Sequence, residues 1–353
     1  MRRWTIWDLK RLVVRHTPRW GPNFFRVAAN KIRNEYEFRR NSTALKSLPW
    51  NVILETTKNC NLSCPMCRDF IPYDPTLDMP MDMLEGVVDR LAPTTDVLDV
   101  RSQGEAMIAK TWDRVLDKVG QHRCKYEIVT NGTRLSQDRC DKLARFGFRV
   151  VVSFDGATAE TFEKIRRGAR FNSVIEGVQR LCDAYRHAGR PRQILAFQVT
   201  AQRDNLGEIP DIVRLAAKFG IGVVKIHGIN SGGGLGLENF LDKAPEVFAE
   251  AERLGRELGL VHVETPSLAA TQARNGKKLD TRCREPWKTI NIAHDGNVRA
   301  CCILYMNPLG NLKEQTLEEI WNGPDYQELR RTINGPNPPP PCATCPAANR
   351  GLS

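Results

Sequence analysis

This sequence predicts an α/β fold: a partial (βα)6 TIM-like barrel, preceded by a basic helical extension and followed by a small cysteine-bearing domain. Three observations carry that expectation. From Trp50 to about Asn230, short β-branched or apolar runs alternate with longer stretches of helical periodicity, the pattern of repeated βα units around a parallel sheet. Charge is concentrated at the start, where residues 1–49 hold 12 Lys/Arg against 3 Asp/Glu, or +9 of the net +11. From residue 281 onward, isolated cysteines and the proline run Pro336 to Pro341 replace the alternation.

With 353 residues and 41% hydrophobic content, the chain can bury one large core or two smaller ones. Its eleven cysteines, unevenly spaced, fit metal or cluster ligation better than a disulfide framework. No apolar run approaches the roughly 18 residues of a membrane span. The start lacks a signal peptide's apolar core and cleavage site, and charged residues follow Arg2-Arg3, unlike a twin-arginine signal. The expectation is a cytoplasmic protein whose thiolates stay free for iron.

The extension, residues 1–49, carries Trp4, Trp7, Val13, Val14, Trp20, Phe24 and Phe25 among its basic residues. Part of it can form an amphipathic helix resting on an anionic membrane surface. The competing reading is a helical extension packed on the catalytic domain with its charges in water. No recognisable module accompanies the charge, so no specific nucleic acid is expected.

The barrel spans residues 50–231, with strands expected at Asn51–Thr56, Val97–Arg101, Tyr126–Thr130, Arg149–Phe154, Ile194–Thr200 and Gly222–His227. Thr158–Arg167, Ser173–His187 and Leu206–Phe219 place apolar residues three and four apart and can cover the sheet. A linker, residues 232–280, opens on Gly232, Gly233, Gly234 and Gly236 and contains a helix from about Ala244 to Leu258. The last domain, residues 281–353, has a hairpin signal at Asp295-Gly296, flanked by Ile290, Ile292 and Val298.

Cys60, Cys64 and Cys67 follow the first strand, so three thiolates share one loop at the C-terminal end of the sheet, where parallel α/β folds place their sites. Three cysteines leave one iron of a [4Fe–4S] cluster open, and a vacant position can bind a small molecule. A zinc site or ordinary core thiols are the alternatives, but zinc wants four ligands and the loop offers no fourth.

CxxxCxxC in this position resembles the hallmark of the radical S-adenosylmethionine (SAM) superfamily. Gly104-Glu105 looks like that family's GGE motif, which binds the amino group of SAM, with Gln103 in place of the first glycine. Thr130-Asn131-Gly132 and Ser153-Phe154-Asp155-Gly156 end the third and fourth strands as in many relatives. The resemblance implies that Met66 packs on the adenine, where an aromatic residue is common. It also implies that Asn131 lies at the cofactor site and that Ser153 and the Gln202-Arg203 segment contact the SAM carboxylate or ribose. Solvated loop residues are the competing reading for these last positions.

Cys283, Cys301, Cys302, Cys342 and Cys345 form a second set, and spacing alone does not separate zinc from iron–sulfur. Cys-x12-Gly-x4-Cys after such a barrel resembles the SPASM/twitch auxiliary domain. The sequence ends eight residues after Cys345 with no further cysteine. The resemblance therefore implies the shorter twitch form, one auxiliary [4Fe–4S] cluster held by Cys283, Cys301, Cys342 and Cys345. A fully ligated cluster suits electron relay. Cys302 is either a hydrogen-atom donor to a substrate radical or a spare hairpin thiol. Cys124, Cys140 and Cys182 fall on or beside expected helices as core filling.

The activity implied is reductive cleavage of SAM to a 5′-deoxyadenosyl radical, which abstracts a substrate hydrogen. The reductant is a partner such as flavodoxin or ferredoxin. The leading substrate class is a small polyol, sugar or aminocyclitol, oxidised or epimerised as in aminocyclitol dehydrogenases and carbohydrate epimerases. Lys225 and His227, on one face of the sixth strand, are candidate bases, though either residue is commonly structural there. The alternative is maturation of a ribosomally made peptide by epimerisation or crosslinking. A noncatalytic iron–sulfur or zinc protein is the remaining class, and the SAM-pocket motifs speak against it.

Overall fold

The computed structural model describes residues 23–67, 72–228, 242–266, 282–301, 307–343 and 345. Cys302, the glycine cluster and residues 1–22 lie outside the described residues. Helix α1 (Phe24–Arg39) precedes β1 (Asn51–Leu54), and then the βα alternation begins. It runs α2 (Met81–Leu91), β2 (Val97–Asp99), α3 (Trp112–Gly120), β3 (Lys125–Thr130), α4 (Gln137–Phe146) and β4 (Arg149–Ser153). Then come α5 (Ala159–Ile165), α6 (Phe171–His187), β5 (Leu195–Ala201), α7 (Ile209–Phe219), β6 (Val223–Gly228), α8 (Ala244–Glu257) and β7 (His262–Glu264).

Each pair from β1 to β7 is parallel, in chain order, so the six expected strands form as expected. Alternation along the strands explains the layering. Leu98, Tyr126, Val150, Val152, Phe197, Val199, Val224 and Ile226 are buried, and helices such as α7 cover them with Ile209, Ile212, Val213, Ala216 and Phe219. The other face is mixed: Val129, Val151, Ala196 and Val223 form a small apolar cluster there, and beside it Asp99 pairs in register with Glu127, Glu127 with Arg149, Gln198 with Lys225 and Lys225 with Glu264. A partial barrel whose inner wall carries charge is built to hold something polar.

Four strands extend the sheet beyond the expected six, giving ten in all. Strand β7 has only three residues, too short to show periodicity. Strand β8 (Thr289–Ile292) follows the short helix α9 (Glu285–Lys288) and lies parallel to β1, in register from Asn51↔Thr289 to Leu54↔Ile292. The expected turn at Gly296, with φ +89°, then carries β9 (Asn297–Arg299) back antiparallel, and β10 (Gly310–Asn311) closes the edge. Three helices follow, α10 (Leu317–Trp321), α11 (Pro324–Thr332) and α12 (Pro340–Ala343). The C-terminal segment shares the main core through Trp287, Ile290, Ile292, Ile320, Trp321 and Tyr326.

Helix α1 packs across the N-terminal end of the sheet. Asn30 exchanges hydrogen bonds with the main chain of Leu48, both at 2.9 Å. Lys31 pairs with the buried Asp96, Phe38 meets Trp287 edge to face at 5.2 Å, and Glu35 holds Arg284 at 2.5 Å. Trp321 Nε1 donates to the Ser47 carbonyl (2.8 Å) and Arg330 to that of Thr43 (2.8 Å). Buried charge paired on both sides makes this a specific seat.

Candidate active site

The loop after β1 is anchored before its first cysteine. Asn59 receives Asp74 N–H (2.9 Å) and donates to Asp78 (2.9 Å), while its carbonyl accepts Glu105 N–H at 2.7 Å. Gly104 explains how two loops come so close: a β-carbon there would lie 1.7 Å from the Asn59 carbonyl oxygen. Only a residue without one permits that approach.

Beyond the anchor, Cys60 is half-buried, Cys64 buried and Cys67 exposed, all three as free thiols. Cys67 N–H returns to the Cys64 carbonyl at 2.9 Å, and Ser63 N–H donates to Arg167 O at 3.0 Å. Asn61 accepts from Asn131 Nδ2 (3.0 Å) and donates to Thr133 Oγ1 (3.0 Å), tying the loop to the end of β3. Glu105, fully buried, accepts Thr130 Oγ1–H (2.8 Å) and Asn131 N–H (2.6 Å), which locks the β2 turn to the same strand end. Burial raises the Glu105 carboxyl above its ordinary value, against those hydrogen bonds.

Arg166 gives the site its charge. Its guanidinium meets Asp155 Oδ2 at 2.5 Å, and Nη1 donates to Cys64 Sγ at 3.9 Å. Burial pushes the Cys64 thiol up and the Arg166 charge opposes it. Asp155 is raised by burial, again against Arg166. A cation at the sulfur favours the thiolate that any iron ligand must be. Sequence reasoning missed Arg166 because it sits just past a helix end in a run of arginines, where nothing marks one as turned inward.

The other candidates distribute unevenly. Met66 packs half-buried against the core and Ser153 is buried at the end of β4. Arg203 is instead exposed and held by Asp204 at 2.8 Å, while the buried polar residue of that segment is Gln202. Lys225 is half-buried on the charged inner face, its amine lowered by burial and by Arg149, with Glu127 and Glu264 opposing. His227, two residues on, is exposed.

Between the two cysteine regions stands a carboxylate that sequence reasoning also missed. Glu55 accepts Gln103 Nε2–H on one oxygen and Asn291 Nδ2–H on the other, both at 2.9 Å. Asn291 reaches on to the Cys301 carbonyl (3.4 Å), and its own Oδ1 is buried with no hydrogen-bond partner. In the C-terminal segment, Cys283 is bracketed by Asn334 through its N–H (2.7 Å) and carbonyl (3.0 Å). Burial pushes its thiol to about 11, with Cys342 and Cys345 near enough to add to the rise.

Among the described residues, no three Cys, His, Asp or Glu side chains converge tightly enough for one metal ion.

Comparison with known proteins decides the family. The radical SAM superfamily model matches residues 54–216, and the SPASM iron–sulfur cluster-binding domain model matches residues 283–346. The chain belongs to the radical SAM superfamily and carries a SPASM domain. This radical SAM enzyme therefore works with a [4Fe–4S] cluster, SAM and SPASM auxiliary cluster chemistry. It is 27% identical over 324 residues to PqqA peptide cyclase of Gluconobacter oxydans, covering 87% of this chain and 85% of that one. It is 28% identical over 180 residues to the AdoMet-dependent heme synthase of Methanosarcina barkeri, covering 50% of each. Streptococcus suis SuiB bound to S-adenosylmethionine superposes with a TM-score of 0.63 at 16% identity, over 94% of this chain and 78% of that one. Among the described residues no helix is long and apolar enough to cross a membrane.

Proposed function

We propose that this radical SAM enzyme is a maturase that crosslinks or epimerises a ribosomally made peptide. The observation that carries the reading is the span of the likeness to PqqA peptide cyclase, which covers 87% of this chain and 85% of that one. The likeness to the heme synthase covers half of the chain. The charged inner wall suits the polar main chain of a peptide. Oxidation of a small polyol or aminocyclitol, the leading expectation from sequence, has the weaker support, since the relative matched along most of this chain is named for a peptide.

In this reading Cys60, Cys64 and Cys67 hold the SAM cluster, and Cys283, Cys301, Cys342 and Cys345 hold one auxiliary cluster. When bound, the SAM cluster supplies the electron that cleaves SAM to methionine and a 5′-deoxyadenosyl radical. The chain's residues do the positioning. Arg166 offsets thiolate charge at Cys64. The Glu105 carboxylate is committed to the end of β3, and the Gly104-Glu105 turn would hold the amino group of SAM. Lys225, half-buried on the inner wall, is the candidate base toward a substrate. A flavodoxin or ferredoxin serves as reductant.

The test is anaerobic turnover with SAM, dithionite and the precursor peptide encoded beside the gene, read by mass spectrometry. A peptide lighter by two hydrogens, or carrying one solvent deuterium after reaction in heavy water, supports the proposal. Turnover of a polyol with the peptide untouched contradicts it.

A further inference from the structure

Helix α1 has a second face that the fold leaves uncovered. Of the six large hydrophobic side chains exposed among the described residues, three lie on it: Phe25 (76% exposed), Ile32 (48%) and Tyr36 (50%). Spaced seven and four apart, with the exposed Ala29 between them, they form one stripe along the helix. Arg26, Arg33, Arg39 and Arg40 are exposed beside it. The helix's two acids are both buried, Glu35 between Arg284 (2.5 Å) and Arg39 (2.6 Å) and Glu37 against the main chain of Lys46 (2.8 Å), so Arg39 is neutralised and the unpaired charge on this face is that of Arg26 and Arg33. The outward face is therefore apolar and cationic, with no acid on it. No hydrogen bond or ion pair engages Arg26 or Arg33 among the described residues.

We propose that this face docks the enzyme on an anionic phospholipid bilayer. Phe25, Ile32 and Tyr36 enter the headgroup boundary while Arg26 and Arg33 meet lipid phosphates. Charge selects this occupant. Residues 1–22 carry six Lys/Arg against the single Asp8, so folding that segment, or a second copy of this helix, over the stripe sets like charge on like. The same segment holds Trp4, Trp7 and Trp20, a residue type that settles at membrane interfaces. Shape agrees: a helix face projecting into solvent is convex and meets a flat surface, whereas a peptide helix needs a groove. The placement is also permissive. Helix α1 packs on residues that precede β1, β2 and β8, namely Leu48, Thr94 and Trp287. That is the end of the sheet opposite the cysteine loop, so docking leaves the mouth of the barrel open.

The experiment is co-sedimentation of the full chain with phosphatidylcholine vesicles, with and without phosphatidylglycerol. Two double variants accompany it, Phe25→Ser with Ile32→Ser and Arg26→Glu with Arg33→Glu. Both alter exposed side chains, and circular dichroism matching wild type shows that they fold. The proposal expects binding to favour the anionic vesicles by about tenfold or more, to weaken with salt, and to fall by about tenfold in each variant. Three results overturn it: wild type left in the supernatant, binding that survives both double variants, or capture by immobilised polyglutamate with the vesicles ignored. The outcome is independent of the chemistry of the barrel.

Discussion

Arg166 bridges Asp155 and Cys64, with its guanidinium 2.5 Å from the carboxylate and 3.9 Å from the sulfur. Asp155 is fully buried, and Oδ1 also accepts Thr200 N–H at 2.6 Å. Removing the cation strands a carboxylate in the interior, which costs about 3–5 kcal/mol. Arg166→Met should therefore lower stability by that order in chemical denaturation of the reduced apoprotein. Adding Asp155→Asn should recover most of the loss. A single variant as stable as wild type would show that the pair is not formed.

The same cation should act on the cluster. A positive charge near the sulfur stabilises the more negative, reduced state, so Arg166→Met should lower the midpoint potential of the SAM cluster, and adding Asp155→Asn should offset part of that fall. A redox titration followed by electron paramagnetic resonance reads this directly, and a potential that rises contradicts it.

Gly104 makes a steric expectation. A β-carbon at this position meets main-chain atoms of Asn59 and Lys58, which have no room to yield. Gly104→Ala should push the cysteine loop away and cut iron bound per chain on reconstitution. Full iron content in that variant would contradict the close packing of the two loops.

How much of this was legible in the sequence follows from what each feature depends on. The six strands and the Gly296 turn were, because alternation and turn chemistry are local. The placement of Cys60, Cys64 and Cys67 on one loop after β1 was, because all three fall within eight residues of sequence. The roles of Arg166, Glu55 and Asn291 depend on partners 102, 48 and 236 residues away, and no local pattern encodes those. Strand β8 was read only as half of a hairpin in a separate domain, because pairing with β1 is a property of the folded sheet. Arg203, expected from the resemblance near the SAM carboxylate or ribose, is exposed and paired with the adjacent Asp204, a neighbour contact that sequence spacing does not reveal.

Cysteines outside the proposed clusters should behave as core. Burial pushes the Cys140 and Cys182 thiols to about 12, so about one part in ten thousand is thiolate at pH 8. Iodoacetamide should leave both unlabelled in the native apoprotein while the exposed Cys67 reacts. The folded values lie above the ordinary 9.0, so the stability these thiols lend is fully present below about pH 9 and is lost as pH rises toward 12. Each should contribute a fall of about 1.4 kcal/mol per pH unit across that window. Cys140→Ala with Cys182→Ala should flatten the decline, and an equally steep profile in the double variant would contradict the assignment.

The two cysteine sets should be separable by iron counting. Reconstituted wild type should hold about eight irons per chain, from two four-iron clusters. Cys283→Ala with Cys342→Ala should retain about four of them. Loss of all iron in that variant would contradict independent clusters.

The most direct test of the central claim is the formation of 5′-deoxyadenosine from SAM under dithionite by the reconstituted enzyme, with Cys64→Ala as control. Wild type should release the nucleoside even without substrate, and the variant none. A wild-type enzyme loaded with iron that releases no 5′-deoxyadenosine, or a variant that matches it, would contradict the assignment of Cys60, Cys64 and Cys67 as the SAM-cleaving site.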